Sequence, residues 1–535
     1  MDPRTLIAIF LVGVIFVGWQ MYEQHKYPEY YAQKTEKGTA PAKGTPVKEV
    51  PPSQDGAANP RAPEVSPQAA AALTGAPEKL EHFVSDTLEF DLSSKGMGLR
   101  NVRILKYKNR SNEVVELGHP DEGILPFETR VLNHNEALDF QIEKKADNLF
   151  VGRARVGAVT VTKTVEISPN KYDLEVKINA EGHDPQFTGL TTTLIEDVIP
   201  EASGGISLLS GQRQKQEFYI DTPKSKDRVL FAKDDVKKEW KDVHIASVGS
   251  QYFTQAIVDK SSILPDADAH LDHSGKAADV LLKYPVLDPT ANYQLAYTAF
   301  VGPKSMNILR EVDENLVRVV DFGFFSWIGR VILDVLRAFY GLLGNWGLAI
   351  ILLTFLCRLI VLPVNIYSFK SMRAMQAIQP QLQALREKYK DDQQKQQSEV
   401  MGLMRTHKVN PVSGCLPMLL QLPIFWALYQ VLGNSIELYQ APFGFWIHDL
   451  SMKDPFYVLP VLMGGAMFVQ QKLTPSTMDP TQAKMMLFMP LLFTFFMIQL
   501  PSGLTLYMLV SSIFSVVQQS YFMKQPKTLS SGSKA

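Results

Sequence analysis

Apolar and polar positions divide the chain into two halves of different character. Between residues 83 and 301 short runs alternate polar and apolar residues, whereas residues 322–522 are dominated by Leu, Ile, Phe, Met and Val. About 20 apolar residues cross a bilayer as a helix, and an even number of spans places both termini on one side. The chain has six such strongly apolar segments, each of which we predict to be a membrane span: residues 6–19, 345–363, 413–432, 456–471, 485–500 and 504–522.

The first apolar segment has the features of a retained membrane anchor. Arg4 precedes it, and the residues after Trp19 lack the small side chains of a signal-peptidase site. We predict a signal-anchor transmembrane helix over residues 1–22. A cleaved signal peptide is the alternative, because the run is slightly short for a span. Residues 23–80, rich in Pro, Ala, Lys and Gly, are typical of a flexible linker.

A β-rich domain is predicted over residues 81–320. Apolar residues alternate with polar ones, as in Leu138, Phe140 and Ile142 and in Val159 and Val161 with Val165 and Ile167. This is the period of a half-buried strand, and Gly, Pro, Asn and Asp interrupt these runs repeatedly. This pattern favours one large antiparallel sandwich, with a helix only at about residues 305–320.

Candidate chemistry is lacking in the β-rich domain. Its seven histidines are scattered without zinc-ligand spacing. The two cysteines of the chain, Cys357 and Cys415, lie in the apolar half, so no disulfide framework is expected. We therefore predict no catalytic residues, no metal site and no cofactor. A docking or spacer role and a carbohydrate-binding groove both remain open for this domain.

Charges in the short loops predict the orientation of the chain. Residues 370–408 carry eight Lys and Arg against four Asp and Glu, whereas the loop at 437–454 is net acidic. Because basic loops stay in the cytoplasm, both termini and the tail at 524–535 are predicted to be cytoplasmic, and the β-rich domain external. The overall net charge of −1 indicates nothing about partners until the charges on each side of the membrane are counted separately.

Residues 321–342 are predicted to form an amphipathic helix that lies flat on the outer membrane surface. Arg330, Asp334 and Arg337 recur at helical spacing among apolar residues. Three charges on one stripe are unfavourable in a span and typical of an interfacial helix. A helix packed in the core of the β-rich domain is the alternative.

Arg358 is the one charged residue inside the six apolar segments. A guanidinium in hydrocarbon costs about 3 kcal/mol, so we expect it to face protein or water. Thr354 and Asn365 share its helical face at spacings of four and seven residues. Other spans supply further polar residues, and together these predict a water-filled furrow: Gln421, Tyr507, Ser511, Ser515 and Gln518. Snorkelling of Arg358 to lipid headgroups and ordinary hydrogen bonds between helices are the alternatives.

Residues 366–410 are predicted to form a cytoplasmic helical hairpin. Apolar residues recur there at three- and four-residue steps, the segment Lys390-Asp391-Asp392 forms the turn, and Pro380 is expected to kink the first helix. The basic face of the hairpin suits anionic lipid, ribosomal RNA or an acidic partner. A merely solvated face explains the charge equally well.

Several strings in the apolar half resemble the YidC/Oxa/Albino family of membrane protein insertases. The resemblance covers about residues 320–523 and rests on these strings: TFLCRLIVLP at 354–363, NPVSGCLP at 410–417, QLPIFWALY at 421–429, WIHDL at 446–450 and PSGLTLY at 501–507. The anchor and the outer domain make the chain similar to the Gram-negative YidC type. That resemblance implies a multi-domain protein of the bacterial inner membrane, with a periplasmic β-supersandwich and a five-helix transmembrane core over residues 343–523.

The same resemblance implies an insertase without a chemical step. Its groove would open to the cytoplasm and to lipid, with Arg358 as the groove cation. Apolar client segments would slide past a Met- and Phe-rich surface, for which the candidates are Phe425, Trp426, Met485, Met489, Phe493 and Phe496. The implied partners are nascent membrane proteins, membrane lipids and the Sec translocon, with the ribosome or targeting factors at the cytoplasmic loops, and no DNA. Met and Phe at these positions are also compatible with ordinary core packing.

Two other classes of membrane protein fit the sequence poorly. A small-solute transporter would show internal repeats and paired ionisable groups at mid-membrane depth, whereas Arg358 has no acidic counterpart in the spans. An intramembrane protease would need a Ser and His pair or two Asp residues in the spans, and the apolar segments contain neither His nor Asp.

Overall fold

The computed structural model describes residues 77–118, 123–199, 215–231, 235–272, 277–286, 293–390, 392–407, 409, 416–474 and 480–524. The predicted anchor helix, nearly all of the linker, and Cys415 lie outside these residues. The chain divides between Val319 and Val320 into two compact units, which we call the β unit and the helical unit.

The β unit contains three sheets in which neighbouring strands are antiparallel. The sheets have four strands in the order β1-β2-β3-β4, five in the order β13-β16-β17-β10-β5, and nine in the order β12-β11-β14-β15-β18-β9-β8-β7-β6. The strands are β1 Leu80–Val84, β2 Leu88–Ser93, β3 Leu99–Lys108, β4 Val114–Leu117, β5 Thr129–Val131, β6 Gln141–Ala146, β7 Leu149–Val156, β8 Val159–Ile167, β9 Asp173–Glu181, β10 Gly189–Asp197, β11 Glu217–Asp221, β12 Lys226–Leu230, β13 Val236–Trp240, β14 Ile245–Gly249, β15 Phe253–Asp259, β16 Asp266–Asp272, β17 Ala277–Pro285 and β18 Tyr293–Pro303.

Alternating burial confirms the prediction of a β-rich domain. In β8 every second residue from Val159 to Ile167 is buried, while the residues between them are more exposed. Strands β14 and β15, near the middle of the nine-stranded sheet, are buried throughout, because both faces of the sheet are covered there. The sequence predicted one large antiparallel sandwich, whereas the β unit contains three antiparallel sheets.

The predicted helix at residues 305–320 is divided into two shorter pieces. Helix α1 covers Met306–Val312, and a 3-10 turn covers Leu316–Val319. The β-conformation of Asp313 ends α1 after two turns.

Lys163 occupies an inward-facing position of β8 and joins the three sheets. Its ammonium group donates to the carbonyl oxygens of Gly96, Met97 and Phe127 at 3.0, 3.1 and 2.7 Å, and to Thr129 Oγ1 at 3.0 Å. The first two acceptors lie in the turn between β2 and β3, whereas Thr129 begins β5. Burial lowers the pKa of Lys163 to about 7, although the nearby Glu128 carboxylate acts in the opposite direction.

The helical unit contains eight described helices. They are α2 Ser326–Leu343, α3 Trp346–Ala377, α4 Gln379–Lys388, α5 Gln393–Thr406, α6 Leu416–Asn434, α7 Val458–Leu473, α8 Pro480–Met497 and α9 Ser502–Lys524. Helix α3 packs against α2, α6 and α9, and α7 packs between α8 and α9. Within the described part of the chain, α3 is the one helix both long and apolar enough to cross a membrane.

The boundary between α2 and α3 follows from two adjacent residues. Gly344 adopts a left-handed conformation with φ 64°, which ends α2 at little steric cost. Asn345 then caps α3 by accepting a hydrogen bond from the backbone N–H of Leu348 at 3.0 Å. The amphipathic helix predicted at residues 321–342 therefore begins and ends slightly later, at Ser326 and Leu343.

The predicted cytoplasmic hairpin differs in its helix boundaries. Helix α3 continues without a break to Ala377, well beyond the predicted span end at residue 363. The prediction that Pro380 kinks a helix is wrong, because Pro380 is the second residue of the separate helix α4. A proline is tolerated in the first turn, where its missing N–H has no helical partner. Residues of the hairpin enclose a small apolar cluster: Met375, Ile378, Leu382, Met404 and Val409.

Three helices of this unit contain an internal proline. These residues are Pro363 in α3, Pro423 in α6 and Pro490 in α8. Each proline lacks the N–H that would bond to the carbonyl four residues before it, so each helix has one missing backbone hydrogen bond. Such interruptions are tolerated in membrane helices when neighbouring helices or water satisfy the freed carbonyl.

Candidate functional site

Arg358 lies midway along α3 and is directed towards α9. Its Nη2 donates a hydrogen bond to the hydroxyl oxygen of Ser511. Among the residues that the structure describes, Arg358 forms no ion pair with a carboxylate. The side chain is partly buried rather than extended away from the helices. This geometry favours a cation that faces protein over one that snorkels to lipid headgroups.

Tyr507 and Gln421 bring α6 to the same polar cluster. Gln421 Nε2 donates to the hydroxyl oxygen of Tyr507, which lies one turn before Ser511 on α9. The side chain of Tyr507 is almost completely buried. Four of the residues predicted to line a furrow therefore form two interhelical contacts on adjacent turns of α9.

The hydroxyl groups of Thr354 and Ser515 are bonded within their own helices. Thr354 Oγ1 donates to the carbonyl of Ile350 at 2.7 Å, and Ser515 Oγ donates to the carbonyl of Ser511 at 3.0 Å. Both side chains are buried on the faces where α3 and α9 pack. They lie beside the Arg358 cluster without adding a bond between helices, which is a common role for Ser and Thr in helical bundles.

Gln518 contacts Asn365, which the sequence placed on the polar face of α3 with Arg358. Asn365 Nδ2 donates to Gln518 Oε1 at 3.4 Å. Asn365 lies seven residues after Arg358, and Gln518 lies seven residues after Ser511. The seven-residue spacing that placed Asn365 on the face of Arg358 is therefore matched on α9 by the spacing between Ser511 and Gln518.

Apolar residues of the predicted sliding surface are divided between α6 and α8. Met489 is 48% exposed and Phe496 is 36% exposed, whereas Phe493, Phe425 and Trp426 are half-buried. The side chain of Met485 lies outside the described residues. Helix α8 thus presents much of its apolar surface outward, as expected for a helix that faces lipid or an apolar segment of another protein.

Arg337 connects the amphipathic helix α2 to the loop after α6. It forms a mostly buried ion pair with Glu437 and a second contact with Asp334 at 3.4 Å. Sequence reasoning missed Glu437 as a partner because it lies 100 residues away in the chain. Local periodicity carries no information about such a pair.

The outer face of α2 is exposed while its inner face packs in the helical unit. Trp327 is 71% exposed, and Val331 and Arg330 are also exposed. Gly329, Ile332, Leu333 and Leu336 form the buried face, which packs against α3 and α6. The alternative of a helix in the core of the β unit is therefore wrong.

The loop from residue 435 to 457 is held against the start of α9. Ser502 Oγ donates to the carbonyl of Asp449 at 3.0 Å, and Gly503 N donates to the carbonyl of Leu450 at 2.9 Å. Asp454 accepts hydrogen bonds from the backbone N–H of Leu459 at 2.7 Å and from Trp446 Nε1 at 2.9 Å. These bonds cap α7 and hold the loop against the first turn of α9.

Potential metal ligands are dispersed. Within the described ranges, no group of three or more His, Cys, Asp or Glu is placed to hold a metal ion. The groups that the site does offer are one guanidinium, hydroxyls and amides, which bind by charge and hydrogen bonding.

Comparisons with known proteins agree with the division into two units. A family described as the 60Kd inner membrane protein matches residues 338–529, and the YidC periplasmic domain matches residues 82–335. The membrane protein insertase YidC of Geobacter sulfurreducens is 35% identical over 436 residues, which cover 81% of each chain. That of Geotalea daltonii is 33% identical over 552 residues, covering 98% of this chain and 99% of that one.

Solved structures include an active YidC insertase with its first transmembrane domain resolved. It aligns with 85% of this chain and 95% of that chain, at a TM-score of 0.39 and 18% sequence identity. The assignment therefore rests on the sequence relatives rather than on this alignment. Because those relatives align over most of both chains at about one-third identity, the chain belongs to the family of the membrane protein insertase YidC.

Proposed function

We propose that this protein integrates nascent membrane proteins into the bacterial inner membrane, and helps them fold, through a polar groove lined by α3, α6 and α9. The names of its relatives support insertion as the activity. The main support for the groove is the hydrogen bond from Arg358 on α3 to Ser511 on α9. Arg358 has no carboxylate partner among the described residues. A cation held in this way is available to an incoming anion. No chemical step is involved.

Electrostatic attraction is the first contribution of the groove. A client carboxylate about 4 Å from the guanidinium gains about 4 kcal/mol at an effective dielectric constant of about 20. Thr354, Gln421, Tyr507, Ser511, Ser515 and Gln518 supply hydroxyl and amide groups that replace part of the water lost by a hydrophilic tail. A membrane potential positive outside then assists each anion outward by about 2.3 kcal/mol per 100 mV.

The apolar part of the client follows a different path. Its transmembrane segment slides past the surface formed by Phe425, Trp426, Met485, Met489, Phe493 and Phe496 and enters lipid. Unbranched methionine side chains adapt to differently shaped clients at little cost, which suits a surface that must not select one sequence.

The proposed topology has six spans with both termini in the cytoplasm. The anchor at 1–22 precedes the linker at 23–80 and the periplasmic domain at 81–320, and the five spans of the insertase core occupy 343–523. The amphipathic helix at 321–342 lies at the periplasmic surface of the membrane, and the tail at 524–535 is cytoplasmic. The exposed aromatic and apolar residues of α2 support an interfacial position.

Partners are proposed from the surfaces that the chain presents. The basic hairpin at 366–410 suits the ribosome, a targeting factor or anionic lipid, because it carries an excess of Lys and Arg. The Sec translocon is proposed as a second partner in the membrane, used for some clients and not for others.

The groove is tested by charge reversal in reconstituted vesicles. Arg358→Glu is compared with Arg358→Lys, using clients whose translocated tails are either acidic or uncharged, and protease protection of the tail measures insertion. Arg155→Glu, the same charge change at an exposed position of β7, is the matched control.

We expect Arg358→Glu to reduce insertion of acidic-tail clients at least about tenfold, which corresponds to about 1.4 kcal/mol. Arg358→Lys and Arg155→Glu should stay near the unmodified protein. Normal insertion of acidic tails by folded Arg358→Glu protein contradicts a groove that acts through this cation.

A further inference from the structure

Three side-chain pairs between α3 and α9 share one sequence separation. Arg358 meets Ser511 and Asn365 meets Gln518, each pair being 153 residues apart. The stacked rings of Phe369 and Phe522, with centroids 5.6 Å apart and an interplanar angle of 20°, have the same separation. A constant separation means that the two helices run parallel and in register. We call this line of pairs the α3–α9 seam.

The middle pair of the α3–α9 seam is incompletely bonded. Asn365 is 2% exposed and Gln518 is 7% exposed, and one hydrogen bond of 3.4 Å joins them. Asn365 Oδ1 and Gln518 Nε2 have no partner in the part of the chain that the structure describes. If the side-chain amides of Asn365 and Gln518 are both rotated by 180°, their oxygen and nitrogen atoms exchange places. One acceptor and one donor are then again left unsatisfied.

A neighbouring amide shows the contrast. Gln519 Nε2 donates to Thr474 Oγ1 at 3.0 Å, so this buried glutamine is satisfied by a residue that follows α7. Leaving a buried donor or acceptor without a partner costs stability, whereas replacing both members of a pair by apolar residues can be neutral or favourable. The Asn365–Gln518 pair thus makes the closed seam less stable than an apolar pair of similar size would.

The unsatisfied atoms define the chemistry of what would bind. One acceptor and one donor on facing helices match the N–H and C=O groups of an extended polypeptide backbone, which every client carries whatever its side chains. The pair lies about 10 Å along α3 from Arg358, on the side of the helix that leads to the hairpin. The stacked pair of Phe369 and Phe522 follows one turn later.

We propose that the Asn365–Gln518 pair is a binding site for the peptide backbone of a client segment, occupied when α3 and α9 part beyond Arg358. This inference rests on the proposed insertase function and deepens it: Arg358 recognises charge, and the amide pair recognises backbone. The site has no side-chain preference, so clients with uncharged tails depend on it most.

The test removes both amides at once and uses a client with an uncharged Gly/Ser-rich tail. In the double variant Asn365→Leu with Gln518→Leu we expect the melting temperature of the full-length protein to rise by about 2 °C or more. Insertion of the uncharged tail should fall by about fivefold, the loss expected for one net hydrogen bond. Gln519→Leu is the matched control, and it should lower the melting temperature because it leaves Thr474 without its donor.

A higher melting temperature together with reduced insertion shows that the amide pair binds the client and does not merely support the structure. Unchanged insertion by the double variant overturns the proposal, and so does reduced insertion accompanied by a lowered melting temperature. A pair that holds only an internal water molecule gives unchanged insertion and is therefore also an overturning result. Failure of the groove itself would instead appear with acidic tails and Arg358→Glu, which leave the amide pair intact.

A second measurement does not depend on how the double variant folds. A photo-reactive amino acid at Phe369, next to the pair, is activated while a client is stalled during insertion. We expect an adduct with the client tail, and adducts confined to α9 overturn the proposal.

Discussion

Lys163 gives the sharpest test of how the β unit is held together. Replacing it by Met keeps most of the chain length, so little cavity is created, but removes the ammonium group. The carbonyls of Gly96, Met97 and Phe127 and the hydroxyl of Thr129 then lose a donor that no neighbouring side chain replaces. Because these acceptors belong to more than one sheet, the damage should spread beyond β8.

The expected cost follows from the hydrogen bonds of the ammonium group, whose three N–H donors are shared among four acceptors. At about 1 kcal/mol for each of three full hydrogen bonds, their loss would cost about 3 kcal/mol in the free energy of unfolding. Burial disfavours the charged form of Lys163, so part of this cost is offset when the ammonium group is removed. We therefore expect Lys163→Met to lower the stability of the β unit by about 2–3 kcal/mol. Glu128, which is fully buried beside Lys163, should then depend on Arg130 alone for a nearby cation.

Hydrogen exchange of the full-length protein, read by mass spectrometry, measures this effect locally. Protection should fall in β8, in the turn at residues 94–98 and at the start of β5 together. Lys177→Met, at an exposed position of the adjacent strand β9, is the control and should change protection by less than about 0.5 kcal/mol. A loss below about 1 kcal/mol, or one confined to β8, would refute the idea that this ammonium group joins the sheets.

Two further substitutions test other parts of the chain. Burial raises the pKa of Glu196 to about 8, so between about pH 4.5 and pH 8 the folded state holds a proton that the unfolded state lacks. Stability contributed by this group is complete below pH 4.5 and is lost as the pH rises through 8; Glu196→Gln should flatten this dependence in pH-resolved exchange of β10. A methyl group on Gly347 would lie 1.9 Å from the ring of Phe443, so Gly347→Ala should cost about 1–3 kcal/mol. Thermal unfolding measures that cost, and a neutral substitution would show that the ring moves freely.

Local periodicity predicted which faces of the strands and helices are buried. The alternation of β8 and the amphipathic pattern of α2 were visible because each residue's burial follows from its position in a regular element. The same alternation contained an anomaly, since Lys163 stands where an apolar residue was expected. Its acceptors are more than 30 residues away, so the pattern indicated an exception without indicating its partners.

Helix boundaries were less predictable than helix faces. The span predicted over residues 345–363 ends at Pro363, yet α3 continues through this proline, because membrane helices tolerate a missing backbone hydrogen bond. Spacing placed Thr354, Arg358 and Asn365 on one face of α3, and the cost of a charge in lipid predicted that Arg358 faces protein or water. The pairing with Ser511 and Gln518 depends on the register of α3 against α9, which no local pattern encodes.

The internal prolines of α3, α6 and α8 have a consequence for the range of cargo. A helix with all its backbone hydrogen bonds resists bending evenly along its length. Pro363, Pro423 and Pro490 each create one position at which the helix bends more easily. Along the proposed path of a client, bending at these three positions would let the helices accommodate client segments of different sizes without unfolding. The range of clients that the protein accepts would then depend on how easily its helices bend, and not on a pocket complementary to one client.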